Sequence, residues 1–266
     1  MGAVSQYIEG LRQRGRHHFT TEEVVTVLGG DRNAISRALL RLKNKGEVAT
    51  PQKGFFVVVP PEYRSLGCLP AEQFVAQLME AVGEQYHVAL LSAAELHGAA
   101  HQRPQRFQVM VRKPRASIEC GSVAVDFHVR SDLARVSTVV VNTPRGHLRV
   151  SSPEATAVEL IGYAKHAGGL DNVATVLSEL AESISPLNLL EEARKAPLAW
   201  AQRLGFLLDL VGRSVTCKHV AGRIHQLDVY SAFGAIGRWA GTRPVNTASH
   251  NYCVAGCNQS SAAVNS

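Results

Sequence analysis

The chain contains no long apolar run. Its densest, Phe55 to Val59, is five residues long and stops at Pro60-Pro61, far short of the roughly 20 residues that cross a bilayer. A basic-then-apolar export signal is also missing, because Gln6, Glu9 and Arg12 interrupt the first residues. Cysteine is sparse and odd in number: Cys68, Cys120, Cys217, Cys253 and Cys257. That set is no disulfide framework and suits a reducing compartment. No Gly-rich phosphate loop and no Ser/His/Asp arrangement stands out either. These absences point to a soluble, cytoplasmic protein without a cofactor.

What is present is enough apolar material for real cores. With 266 residues, 45% of them hydrophobic, two domains are expected. The net charge of +6 is only mildly basic, and by itself it names no partner. Its distribution says more. Residues 1–59 hold nine Lys/Arg against five Asp/Glu, or 9 − 5 = +4, which leaves +2 for the rest of the chain.

Within that basic front segment, Val4, Tyr7, Ile8 and Leu11 form one helical stripe that ends at Gly15. Thr20-Thr21-Glu22-Glu23 is a capping box opening a second helix, which Gly29-Gly30 breaks. Asp31 caps a third helix, with Ile35, Ala38, Leu39 and Leu42 at spacings of three and four and Gly46 at its end. Val48-Ala49 and Phe55–Val59 flank a Pro/Gly turn as a hairpin. Three short helices followed by a hairpin give the order of a winged helix-turn-helix, assigned to residues 1–60.

The residues left outside the third helix carry the chemistry. With its aliphatic side buried, Arg32, Asn33, Ser36, Arg37 and Arg41 face outward. Arg and Asn pair bidentately with guanine and adenine edges in the major groove, each pair giving roughly 1–3 kcal/mol of discrimination. Arg41, Lys43 and Lys45, with Gln52 and Lys53 on the wing, suit phosphates, which add affinity but no sequence information. Arg16, from the basic group ahead of the second helix, joins this DNA-binding set. A winged helix used only for protein contacts is the bland alternative, and a basic rather than apolar exposed face argues against it.

Residues 61–70 read as a linker. Pro70 opens a helix through Val82, and His87–His97, apolar on most faces, reads as a buried helix. Phe107–Val111 alternates, and two hairpins follow: Ala116–Glu119 with Val123–Val129, and Val136–Val141 with His147–Val150. Ser152-Pro153 opens a further helix, followed by helices at Asp171–Leu180, Leu187–Ala193 and Leu198–Val211. The expected fold is α+β: an N-terminal winged helix-turn-helix, then a larger domain over 71–212 with a mostly antiparallel or mixed sheet and a C-terminal helix cluster. Residues 213–266 form a tail rich in Gly, Ser, Asn, Cys and His.

Several of these stretches carry a resemblance. Leu91-Ser92-Ala93-Ala94-Glu95-Leu96-His97-Gly98, the Phe107–Val111 strand, Ser152-Pro153-Glu154-Ala155-Thr156 and Gly168-Gly169-Leu170-Asp171-Asn172-Val173 resemble the AbiEi-type antitoxins of bacterial abortive-infection operons. The likeness spans roughly residues 5–212; the tail departs from it. It implies a repressor that binds inverted repeats in its own operon promoter, without catalytic activity. It also implies an antitoxin that counters a nucleotidyltransferase toxin without needing a tight complex. Inverted repeats require two copies on the DNA, which a dimer formed there would supply.

Two other chemistries have some of their residues present. Cys217, His219, Cys253 and Cys257 have the atoms for zinc but not the paired spacing of a zinc knuckle, so no metal is expected. Gly121-Ser122 before Asp126-Phe127-His128 hints at a nucleotidyltransferase, and Glu119 with Asp126 at a nuclease. A lone Asp cannot hold two magnesium ions, however. Asp126 and His128 alternate with Val125, Phe127 and Val129, which reads as the solvated face of a strand. The rival function is an enzyme acting on nucleic acid that uses the winged helix to reach its substrate.

Overall fold

A computed structural model describes residues 2–99 and 104–211. The zinc-like cysteines and the 213–266 tail lie outside the described residues. The front segment runs α1 (Ala3–Gln13), β1 (His18–Thr20), α2 (Thr21–Leu28), α3 (Arg32–Asn44), β2 (Val48–Gln52) and β3 (Phe55–Val58). The three helices and the hairpin are those the sequence predicts. Strand β1 is additional: it pairs antiparallel with β3, placing Phe19 opposite Phe56, and makes a three-stranded sheet of order β1-β3-β2. Val4, Ile8, Leu11, Val24, Ile35, Leu39 and Leu42 close one core with Phe19, Val48 and Val58.

Strand β3 explains why Phe55–Val59 is apolar without interruption. Side chains on a strand alternate between faces. Val58 and Phe56 turn toward the three helices, whereas Phe55, Val57 and Val59 enter a second, larger core. The two cores therefore share one strand.

The larger core lies against a mixed sheet of order β6-β7-β5-β4-β9-β8. Its strands are β4 (Tyr86–Val88), β5 (Phe107–Val111), β6 (Ile118–Cys120), β7 (Val123–Val129), β8 (Thr138–Thr143) and β9 (Gly146–Ser151). Both hairpins expected here are present, β6–β7 and β8–β9. The pairs β5–β7 and β4–β9 are parallel. Helix α4 (Val75–Ala81) covers one face, where Leu78 and Met79 meet Val109, Val111 and Val150. On the other face lie α5 (Leu90–Leu96) and α6 (Pro153–Gly162), the latter buried along most of its length. Around α6 pack α7 (Leu170–Leu180), α8 (Pro186–Lys195) and α9 (Leu198–Leu210), the expected helix cluster.

The structure departs from the sequence reading in three places. His87–His97 is not one helix: His87 and Val88 belong to β4, and Leu90, at φ 53°, turns the chain into α5. The helix expected from Pro70 to Val82 is broken at Phe74 (φ −138°), with one 3₁₀ turn, Ala71–Gln73, ahead of α4. Asp126 and His128 do not lie on a solvated face. Both are partly buried, and the His128 ring sits 4.4 Å from that of His166 beside Tyr163.

Candidate nucleic-acid interface

Local rules position α3. The hydroxyl of Thr20 accepts from the Glu23 amide at 3.2 Å and the Glu23 carboxylate accepts from the Thr20 amide at 2.9 Å, so the capping box fixes the start of α2. Gly29 and Gly30 both adopt positive φ, making a turn that residues with a Cβ resist. Asp31 then accepts from the amides of Asn33 and Ala34 and starts α3. Ile35, Leu39 and Leu42 anchor the helix inward. Arg32, Asn33, Ser36, Arg37, Arg41 and Lys43 are all exposed, and no described segment covers them. The Arg37 side chain is 74% accessible.

Not every outward cation is free. Arg32 donates to Glu22 at 2.9 Å on the surface. Arg16 donates to Glu23 at 2.6 Å. Burial pushes the Glu23 carboxyl up, but the Arg16 guanidinium and the Thr20 amide hold it below its ordinary range. Arg37 lies 4.0 Å from Asp31 and donates to the Asn33 carbonyl one turn back. Asn33, Ser36, Arg41, Lys43 and Lys53 are the less committed members of the set.

The wing is tied down at both ends. The Thr21 amide donates to the Gly54 carbonyl at 3.0 Å, and Phe56 stacks on Phe19 with centroids 5.3 Å apart. Gln52 accepts from Arg115, whose guanidinium lies over Phe127 and pairs with Glu84 at 3.2 Å. Gln52 is thus partly occupied, and Lys53 is left exposed at the tip. Between the start of α3 and the wing opens a cleft of about 600 Å³, bordered by Arg32, Ser36, Thr50, Gln52 and Lys53.

Two residues escaped the sequence reading. Leu40 is 56% exposed on α3, an apolar group among polar ones. It falls outside the stripe of Ile35, Leu39 and Leu42, which was the available signal. Arg115 reaches the wing from the loop before β6, and nothing local to its sequence announces that contact.

The carboxylates of the rival enzyme reading are differently arranged. Arg106 donates twice to Asp126, at 2.7 and 2.9 Å, and once to Glu119 at 3.3 Å. Both carboxylates are thus bound to one guanidinium rather than facing an open cation site. The guanidinium's hydrogen bonds hold the Asp126 carboxyl below the usual range. His97, just past α5, gives its Nε2 to the Ser151 carbonyl at 2.7 Å, a structural backbone partnership. Among the described residues no cluster of three or more His, Cys, Asp or Glu could hold a metal, and no helix is long and apolar enough to cross a membrane.

Comparison with known proteins adds four findings. The crystal structure of the RV2827C protein from Mycobacterium tuberculosis is similar at a TM-score of 0.59 with 19% identity, over 82% of this chain and 80% of that one, a likeness of fold. An antigenic nucleotidyltransferase-like protein from Paracoccidioides brasiliensis aligns at a TM-score of 0.30 and 10% identity, over 61% of this chain and 89% of that one, too low to argue from. No curated protein sequence matches. Residues 87–210 match the model of the AbiEi antitoxin C-terminal domain, a likeness that supports an antitoxin role in a toxin–antitoxin system.

Proposed function

We propose that the chain is an operator-binding autorepressor as well as an antitoxin, and that residues 1–60 form a winged helix-turn-helix that reads DNA. The observation that carries this is the exposed face of α3. Asn33, Ser36, Arg37 and Arg41 stand clear of the body while Ile35, Leu39 and Leu42 anchor the helix behind them. Arg37 and Asn33 sit near the helix N-terminus, where base edges are met in such modules. Arg41, Lys43 and Lys53, with Arg16 and Arg32 once their surface ion pairs exchange, contribute phosphate contacts. Exposed pairs of this kind are worth about 0–1 kcal/mol, so duplex phosphates displace their carboxylates readily. The operator is an inverted repeat upstream of the chain's own operon. The toxin it counters is a nucleotidyltransferase, and neutralisation proceeds without a stable complex. The protein works in the cytoplasm and catalyses nothing.

Titration of a labelled promoter fragment over a range of salt tests this reading. Arg37→Ala lowers affinity for the operator by about 1–3 kcal/mol and flattens discrimination at one base position. Lys53→Ala weakens every sequence alike and reduces the slope of log K against log salt by about 1. Equal binding by wild type and both variants, or no shift in dilute buffer, rejects the reading.

A further inference from the structure

The six-stranded sheet ends differently at its two sides. At one edge β6 is three residues long, carries the exposed Glu119 and lies beside the wing strand β2. Short, charged and covered edges are how sheets avoid pairing with other chains. The opposite edge, β8, has none of these features. Its sequence Thr-Val-Val-Val-Asn-Thr contains no charge and no proline, and it pairs with β9 over six residues without a bulge. Val139 and Val140 are 38% and 70% exposed.

The hairpin phase shows which backbone groups are free. A two-residue turn, Pro144-Arg145, makes Thr143 and Gly146 a mutually bonded pair. At the far end the Ser152 amide donates to the Ser137 carbonyl at 2.9 Å, in the same phase. Odd-numbered residues of β8 therefore bond to β9. The N–H and C=O groups of Thr138, Val140 and Asn142 point away from the sheet.

We propose that β8 pairs antiparallel with β8 of a second copy, about a two-fold axis at Val140, joining the two sheets edge to edge. In that register Val140 faces its own counterpart, Thr138 faces Asn142 and Val139 faces Val141. Three mutually bonded pairs give about six backbone hydrogen bonds. The strand is suited to itself because it is neutral in a chain of +6, so no like charges meet. Arg149, on the neighbouring strand, lies opposite Val140. Two copies hold their Arg149 side chains three strand spacings apart, about 14 Å, beyond the screening length of about 8 Å. Pairing also covers the outer edge of the core at Val141 and the exposed Val139 beside it. Contact between identical antiparallel strands is isologous and closes at two. Its purpose rests on the operator reading above, since an inverted repeat asks for two copies related in this way.

Sedimentation and hydrogen exchange of the full chain, at several concentrations, test the pairing without any variant. The mass rises from 28.7 kDa toward twice that value, and exchange in the peptide 137–143 slows as concentration increases. Val140→Lys, which places charge at the axis, abolishes both effects, whereas Val140→Thr keeps them. On DNA, Val140→Lys binds a single half-site like wild type but loses about tenfold in cooperativity on the inverted repeat. A chain of constant mass whose 137–143 exchange ignores concentration overturns the proposal, as does a Val140→Lys variant that pairs like wild type. If wild type binds neither duplex, the operator reading fails, while mass and exchange still decide the strand pairing.

Discussion

Glu159 is fully buried on α6, and its one hydrogen-bonded oxygen serves two partners. His87 Nε2 donates to Glu159 Oε1 at 2.8 Å, and Arg130 Nη1 donates to the same oxygen at 2.8 Å. Arg130, 6% exposed, also grips Asp132 through two nitrogens at 2.9 and 3.2 Å. The network ties β4, the end of β7 and α6 together behind the sheet. A buried ion pair need not add net stability, but removing one member leaves a charge with no solvent. Arg130→Met, which roughly keeps the volume, therefore costs about 3–5 kcal/mol in urea unfolding. Adding Glu159→Gln recovers much of that loss, because a neutral amide is cheaper to leave half-satisfied. A single variant as stable as wild type contradicts this account.

Among the elements, close approach is concentrated where the segment after the wing meets the β6–β7 turn. Gly121 has φ +61°, and a Cβ there would lie 2.0 Å from the Leu66 carbonyl oxygen and 2.9 Å from Gly67 Cα. The Ser122 amide donates to that same Leu66 carbonyl at 2.8 Å, so the two strands of chain cannot simply separate. Gly46, at φ +69°, has open space around it. Gly46→Ala thus meets only the left-handed penalty of about 1–2 kcal/mol, while Gly121→Ala adds overpacking of about 1–3 kcal/mol. Matching denaturation midpoints for the two variants would show the backbone contact to be soft. Nothing in the sequence around Gly121 announced this contact, since its partners Leu66 and Gly67 lie far away in the chain. The same division holds elsewhere. The capping box, the Asp31 cap, Ser152-Pro153 and both hairpins were legible because their partners are local. Tyr86-His87-Val88 was not, because a short apolar run fits a buried strand as well as a helix and Ala89 offers no capping side chain to mark the boundary. Phe107–Val111 alternates in sequence yet is buried throughout, flanked by β4 and β7 and covered on both faces. For the candidate interface, the outward face of α3 followed from its inward stripe. The ion pair between Glu22 and Arg32 and the hold of Arg115 on Gln52 depend on how elements pack, which periodicity does not encode.

At the scale of the whole molecule, stability should fall twice on acidification, for opposite groups by the same linkage. His17, His18 and His128 are held below the ordinary histidine range. Burial is the main cause in each, followed by Arg145 and Arg12 near His17, Arg16 near His18 and His166 near His128. The unfolded chain therefore takes up protons at a pH where the folded one does not, so folding is progressively disfavoured as pH drops below about 6.5. Asp126 and Asp132 are also held low, by hydrogen bonds from Arg106 and Arg130. Their stabilisation is fully present above the ordinary carboxylate range of about 4 and is lost as pH falls through their folded values. Because β3 is shared by both cores, one unfolding midpoint reports on the front helices and the sheet together. Urea midpoints should be highest from neutral pH upward, decline between about pH 6.5 and 5, and decline again below about pH 4. Replacing His17, His18 and His128 by Gln removes the first decline and leaves the second. A midpoint that stays level or rises between pH 7 and 5 would mean that these rings take up protons in the folded state as readily as in the unfolded chain.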